Sequence, residues 1–201
     1  MSHELPILYE KPARTVSRRE LARNLLSGVA ASIVCSGLSP LHPIREHLQN
    51  AMLLDSSDAV LASGSYQPAF LSPSQLATLD KISEAIIPGS HKAQSAAFID
   101  LLLSVDAAKS QQEFGDALSA LEASASHTFH KNIASLTGSE MNELLQAAAA
   151  KESSNRAHFE NLKQWAVGAY YSSEIGMREL GWTPDRVFAS YPVCGHAESH
   201  S

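Results

Sequence analysis

The chain is poor in the residues that most often carry chemistry. Among 201 residues there are two cysteines, Cys35 and Cys194, and aromatic residues make up only 6 %. Two thiols cannot supply the four thiolates of an iron–sulfur cluster, and no Cys-x-x-Cys-His stands ready to attach haem. Glycine-rich phosphate loops, a Gly-x-Gly-x-x-Gly after a strand and a Gly-x-Ser-x-Gly elbow are all missing. Segments of period-two alternation rich in β-branched residues are missing too. Basic residues are scarce as well: the formal net charge is −6. Residues 1–35 hold five basic and three acidic side chains, so the remainder carries −8. That sign argues against sequence-independent nucleic-acid binding and against docking by charge on anionic lipid.

Charge of the other sign gathers near the start. Ser17-Arg18-Arg19-Glu20-Leu21-Ala22-Arg23 runs into an uncharged stretch from Asn24 to Leu41. A basic segment before a short apolar one is the pattern of an export signal. The adjacent Arg18 and Arg19 mark it as a twin-arginine signal, an address for proteins exported already folded. Leu21 and Ala22 depart from the commonest residues of that pattern. An ordinary secretory signal or a basic amphipathic helix is the plainer alternative. The uncharged stretch is short and rich in Gly, Ala and Ser for a membrane span, which takes about 20 strongly apolar residues. No clear small-x-small cleavage site follows: Ser32-Ile33-Val34 is poor and Ser36-Gly37-Leu38-Ser39 only passable. Whether the signal is removed is left open by the residues. Val34 before Cys35 makes a lipoprotein reading weak.

Residues 1–41 are therefore read as the signal region, 42–71 as a linker or extended arm, and 72–201 as one helical domain with an irregular tail. A helical turn over Arg45–Leu54 is the only regular structure expected in the arm. Ser72-Pro73-Ser74-Gln75 opens the body as a capping box with proline at the first helical position. Leu76, Leu79, Ile82 and Ile86 continue it at helical spacing until Pro88-Gly89. Further helices are expected over Ala93–Ala108 and about Gln111–His130, then from Thr137 and from about Asn155. A bend at Ser172-Ser173-Glu174 precedes a short helix ended by Gly181. The body is all-α, with about five to six helices.

Several clusters are candidates for chemistry. His127 and His130 share a helical face and with His158 form a potential metal set, but a site needs three or four ligands in fixed geometry. Surface or capping histidines are the reading preferred. Cys194-Gly195-His196, with His200, is a soft-ligand cluster lacking a second thiol. Glu174 beside Tyr170 and Tyr171 is a candidate acid or base, although a carboxylate just after a serine cap suits a helix's first turn. Trp165, Tyr170, Tyr171 and Trp182 concentrate aromatic rings toward the C-terminus, as interface anchors do; core packing explains one or two of them equally well. If Cys35 lies in the signal, Cys194 is the single thiol of an exported domain, which suggests a free thiol or an intermolecular bridge.

The run from Phe159 through Trp165 to Tyr170-Tyr171-Ser172-Ser173-Glu174-Ile175-Gly176 resembles the gluconate 2-dehydrogenase subunit 3 family. So do Glu179-Leu180-Gly181-Trp182, Tyr191-Pro192-Val193-Cys194-Gly195-His196, the stretch Phe98–Leu103, and Leu136-Thr137 with Glu140. The likeness covers most of residues 72–196, and the Tyr-Tyr-Ser-Ser-Glu-x-Gly run is its most specific part. It implies a non-catalytic small, or gamma, subunit with no cofactor of its own. FAD belongs to a large catalytic subunit, and a multihaem cytochrome c subunit takes electrons and anchors the assembly. Iron–sulfur and haem c groups are thus expected only in partner chains. The small subunit would be periplasmic, attached to the membrane indirectly, and would lend its signal to a flavoprotein that lacks one. Partner contacts are expected at Trp165, Tyr170, Tyr171, Glu174, Trp182, Tyr191 and Cys194, with Cys194 the candidate intersubunit disulfide. Two alternatives stand beside this: an exported helical module that binds another protein, and an exported enzyme using Glu174 and His196.

Overall fold

The computed structural model describes residues 44, 47–64 and 66–180. Arg18, Arg19, Cys35, Trp182, Tyr191, Cys194, His196 and His200 lie outside them. Among the described residues the structure is all-α without strands, in one small domain. Seven α-helices follow in order: α1 Ala51–Ala62, α2 Pro73–Ile86, α3 Ser95–Ser104, α4 Ala108–Phe129, α5 Gly138–Ala149, α6 Arg156–Tyr171 and α7 Glu174–Glu179. Short 3-10 turns at His47–Gln49 and Ile133–Ser135 join them.

Helix starts follow the capping chemistry expected of them. Ser72 accepts from Gln75 N while Gln75 reaches back to Ser72 N, with Pro73 in the first turn. Thr137 and Glu140 form the same reciprocal pair at α5. Each arrangement satisfies two backbone donors that a helix start would otherwise leave unpaired. The helix expected over Ala93–Ala108 is shorter, Ser95–Ser104, because residues 90–94 fold as turns. Gln94 takes a left-handed backbone there.

Helix α6 is the hub. It packs against α2, α3, α4, α5 and α7, burying Leu162, Trp165, Ala166, Ala169 and Tyr170. Small Ala166 and Ala169 allow neighbouring helices close approach, while Trp165 fills the gap toward α4. Its ring meets Phe114 edge-on, with centroids 5.8 Å apart, and lies 6.3 Å from the ring of His47. Asn155 Nδ2 donates to Ser124 Oγ at 2.6 Å, pinning the start of α6 beside α4. Lys81 closes another side by donating to the carbonyls of Ala134 and Leu136 at 2.7 and 2.6 Å.

The segment read as a linker or extended arm is where structure and sequence differ. It carries α1, and Ile44, Leu54, Leu61 and Leu71 all belong to the main hydrophobic core. The apolar period was hard to see because Ser57 occupies a buried slot between Leu54 and Leu61. Its hydroxyl donates to Leu53 O at 2.7 Å, so the polar group is satisfied within the helix. Asn50 caps the start by accepting from Leu53 N. Helix α1 runs antiparallel to α3. Gln94 Nε2 reaches Leu61 O at one end, and His47 Nε2 lies 3.5 Å from Asp106 at the other.

Asp100 fastens the loop between α1 and α2. Fully buried on α3, its carboxylate accepts from the backbone N–H of Ala69, Phe70 and Leu71 at 2.6, 3.1 and 2.5 Å. The Tyr66 hydroxyl donates to it as well. Burial first, and then the Asp100 carboxylate, push the Tyr66 phenol above its ordinary range. A buried carboxylate is costly unless such donors surround it. Replacing Asp100 by Ala leaves three backbone donors without acceptors, an expected loss of about 3 kcal/mol or more. Tyr66→Phe should cost only about 1 kcal/mol. Urea denaturation of both variants checks this ordering, and equal small effects would contradict it.

Candidate functional site

The junction of α6 and α7 is built by Tyr170-Tyr171-Ser172-Ser173-Glu174-Ile175-Gly176. Helix α6 ends because both serines turn back on it. Ser172 Oγ donates to Ala169 O at 2.9 Å and Ser173 Oγ to Tyr170 O at 2.6 Å. Ser173 then caps the next helix, its Oγ accepting from Gly176 N at 3.1 Å and its carbonyl from Met177 N at 3.0 Å. One buried hydroxyl thus closes one helix and opens another. The turn is so tight that a Cβ on Gly176 would stand 2.3 Å from Tyr170 O. Glycine is required here for space.

Tyr170 locks this junction to the rest of the body. Only 3 % exposed, it donates its hydroxyl to Glu179 Oε2 at 3.0 Å. Its ring meets that of Tyr171 edge-on, with centroids 5.1 Å apart. Burial, and then the Glu179 carboxylate, hold the Tyr170 phenol above its ordinary pKa, so it serves as a donor. Against its hydroxyl sits Gly89, where a Cβ would come within 3.3 Å. Gly89 also has φ +99°, which side chains other than hydrogen rarely adopt.

The turn holding Gly89 is organised by Glu84. That carboxylate accepts from Gly89 N at 2.9 Å, His91 N at 2.8 Å and, more loosely, the Ser90 hydroxyl at 3.4 Å. The two backbone donors, Gly89 first, hold its pKa below the usual carboxylate range. His91 Nδ1 lies 2.7 Å from Asp80 on the preceding turn of α2. The polar groups beside Tyr170 are therefore spent on fixing the backbone.

The expected site residues fall into distinct places. Trp165 and Tyr170 are core residues, 1 % and 3 % exposed, so neither offers a surface to another chain in this arrangement. Tyr171 and Glu174 are both half-buried, and Glu174, in the first turn of α7, is paired with Arg178 at 2.7 Å. Exposed apolar side chains follow, Ile175 on the same short helix and Leu180 at its C-cap. Among the described residues no group of three or more His, Cys, Asp or Glu side chains is placed to hold a metal, His127, His130 and His158 included.

Sequence reasoning missed Glu84, Gly89 and Asp100. Asp100 carried a signal, a lone charge inside Phe98–Leu103. Glu84 carried none, since a glutamate one turn before a Pro-Gly stop looks like ordinary helix surface.

A family model described as gluconate 2-dehydrogenase subunit 3 matches residues 73–185. The match opens with the first residue of α2 and runs past α7, leaving α1 outside it. No curated protein and no solved structure matches the chain.

The junction makes a sharp expectation for Gly176→Ala. Backbone has to move to admit the methyl, at a cost of about 2–4 kcal/mol. Thermal unfolding should show a clearly lowered midpoint, whereas Gly138→Ala, where nothing lies within 4 Å of the added carbon, should not. Equal midpoints for the two variants would contradict the close approach.

Proposed function

This chain belongs to the gluconate 2-dehydrogenase subunit 3 family, and on that premise we propose that it is the non-catalytic small subunit of a membrane-associated, FAD-dependent sugar or polyol dehydrogenase complex. Its work is to escort the flavoprotein subunit through twin-arginine export, and to mature and stabilise it in the periplasm. The family match across α2–α7 is the observation that carries this reading. Two others support it. The polar groups of the motif junction are engaged in fixing backbone, which suits a docking body more than a reaction centre. Arg18 and Arg19 supply an address that a folded, cofactor-loaded partner can share.

In this reading FAD sits in the large subunit, with iron–sulfur and haem c groups as further candidates in partner chains. A multihaem cytochrome c subunit completes the complex. The partner contacts in this reading are Tyr171 and Glu174, together with Trp182, Tyr191 and Cys194 of the following segment, while Trp165 and Tyr170 are buried in the body. Substrate choice lies with the catalytic chain, because function resides in the site and not in the fold of its neighbours.

Two experiments test the proposal. Replacing Arg18 and Arg19 together by Lys should strand dehydrogenase activity in the cytoplasm, measured by fractionating cells; normal periplasmic activity would refute the escort role. Non-reducing electrophoresis of the complex should show a band joining the small and large chains, lost in Cys194→Ser. Separate bands in the unaltered protein would remove the covalent link.

A further inference from the structure

One short run of chain, residues 66–71, supplies the Tyr66 hydroxyl and the backbone N–H groups of Ala69, Phe70 and Leu71 to the buried Asp100 carboxylate. That arrangement resists partial opening. Lifting some of the donors leaves a charge still out of water and short of partners, the costliest condition for such a group. Lifting all of them lets water reach the carboxylate, which offsets much of the loss. The run therefore leaves whole or stays.

Helix α1 is bound to go with it. Its middle leans on the core through Leu54 and Leu61, and Ser57 between them spends its hydroxyl on Leu53 O. Gln94 Nε2 meets Leu61 O at 3.3 Å, and His47 rests against Trp165 and Asp106. A helix of 12 residues lies at the margin of what survives alone in water, where about 12–15 are needed. Once off α3, α1 has little to keep it helical.

The rest of the body has its own supports. Immediately beyond Leu71, the Ser72–Gln75 capping box closes the start of α2 without help from the preceding segment. The hub helix α6 packs on α2, α3, α4, α5 and α7, all of which follow residue 72. The family match begins at the same border, at residue 73.

We propose that α1 and residues 66–71 form one strap latched on Asp100, which opens as a unit about Leu71–Ser72 while α2–α7 stay folded. Closed, the strap hides Asp100 and the face of α3 that α1 packs against. Open, it uncovers both at once, a carboxylate set in an apolar helix face. The latch, and not the motif junction at Tyr170, governs access to that face. The strap is independent of the export role and of any partner chain.

Amide hydrogen exchange of the full chain tests this, read residue by residue by NMR at low urea concentrations. Amides of α1 and of Ala69, Phe70 and Leu71 should share one opening free energy and one urea slope, both below those of the α6 amides. Gly176→Ala should speed exchange in α6 by about 20-fold or more and leave the strap amides unchanged, because it weakens the closed and open forms alike. Asp100→Asn keeps the side chain's shape and removes its charge, and should speed all strap amides together by about tenfold or more. A common free energy for α1 and α6, or strap amides accelerated by Gly176→Ala as much as those of α6, overturns the strap. So does exchange at Ala69, Phe70 and Leu71 that proceeds apart from α1, or that Asp100→Asn leaves unchanged. Should Gly176→Ala fail to fold, Ala166→Gly in α6 is read in the same way, with a smaller rise of about fivefold or more.

Discussion

The Asp100 carboxylate has to be met by donors, because it is buried on α3, and it finds them in the Tyr66 hydroxyl and three backbone N–H groups. The chain meets it by folding residues 66–71 over it, which brings Leu71 into the core and delivers α2 at its capping serine. The same fold-over fixes where α1 ends, so that Leu54 and Leu61 lie against α3. One buried charge thus decides that the segment before residue 72 belongs to the body.

A second constraint acts where α6 meets α7. Tyr170 needs a partner for its hydroxyl and a flat surface for its ring, and it finds Glu179 and Gly89. Gly89 is presented by a turn that Glu84 holds through two backbone donors. Gly176 lets α7 fold back tightly enough for Glu179 to arrive. The most specific run of the sequence, Tyr170 to Gly176, is thereby explained as a corner. It braces α7 against α6, with Ile175 and Leu180 exposed and Glu174 tied to Arg178.

Much of this was legible in the residues. Capping boxes at Ser72 and Thr137 marked helix starts, and the 3.6-residue period carried α2, α4, α5 and α6. The bend at Ser172-Ser173-Glu174 was visible because serines before a glutamate are a helix opening. Helix α1 was not, since Ser57 sits in a buried phase where its backbone bond, invisible in sequence, replaces an apolar group. The aromatic cluster misled for a related reason. Composition says that Trp165 and Tyr170 are large and amphipathic, but only packing says that Phe114 and Gly89 have already claimed them. Glu84 was silent because its role depends on a turn formed by the residues after it.

On the proposed reading, a body of this kind works by shape: it would offer a braced corner to a partner while its own polar groups stay occupied. The direct test is to tag this chain, isolate it under native conditions from the cells that make it, and record flavin absorbance and sugar or polyol dehydrogenase activity. The account predicts a larger FAD-bearing chain in fixed proportion, carrying all the activity, which is lost from the small chain on separation. Recovery of the chain without a flavoprotein, or with activity of its own, would contradict it.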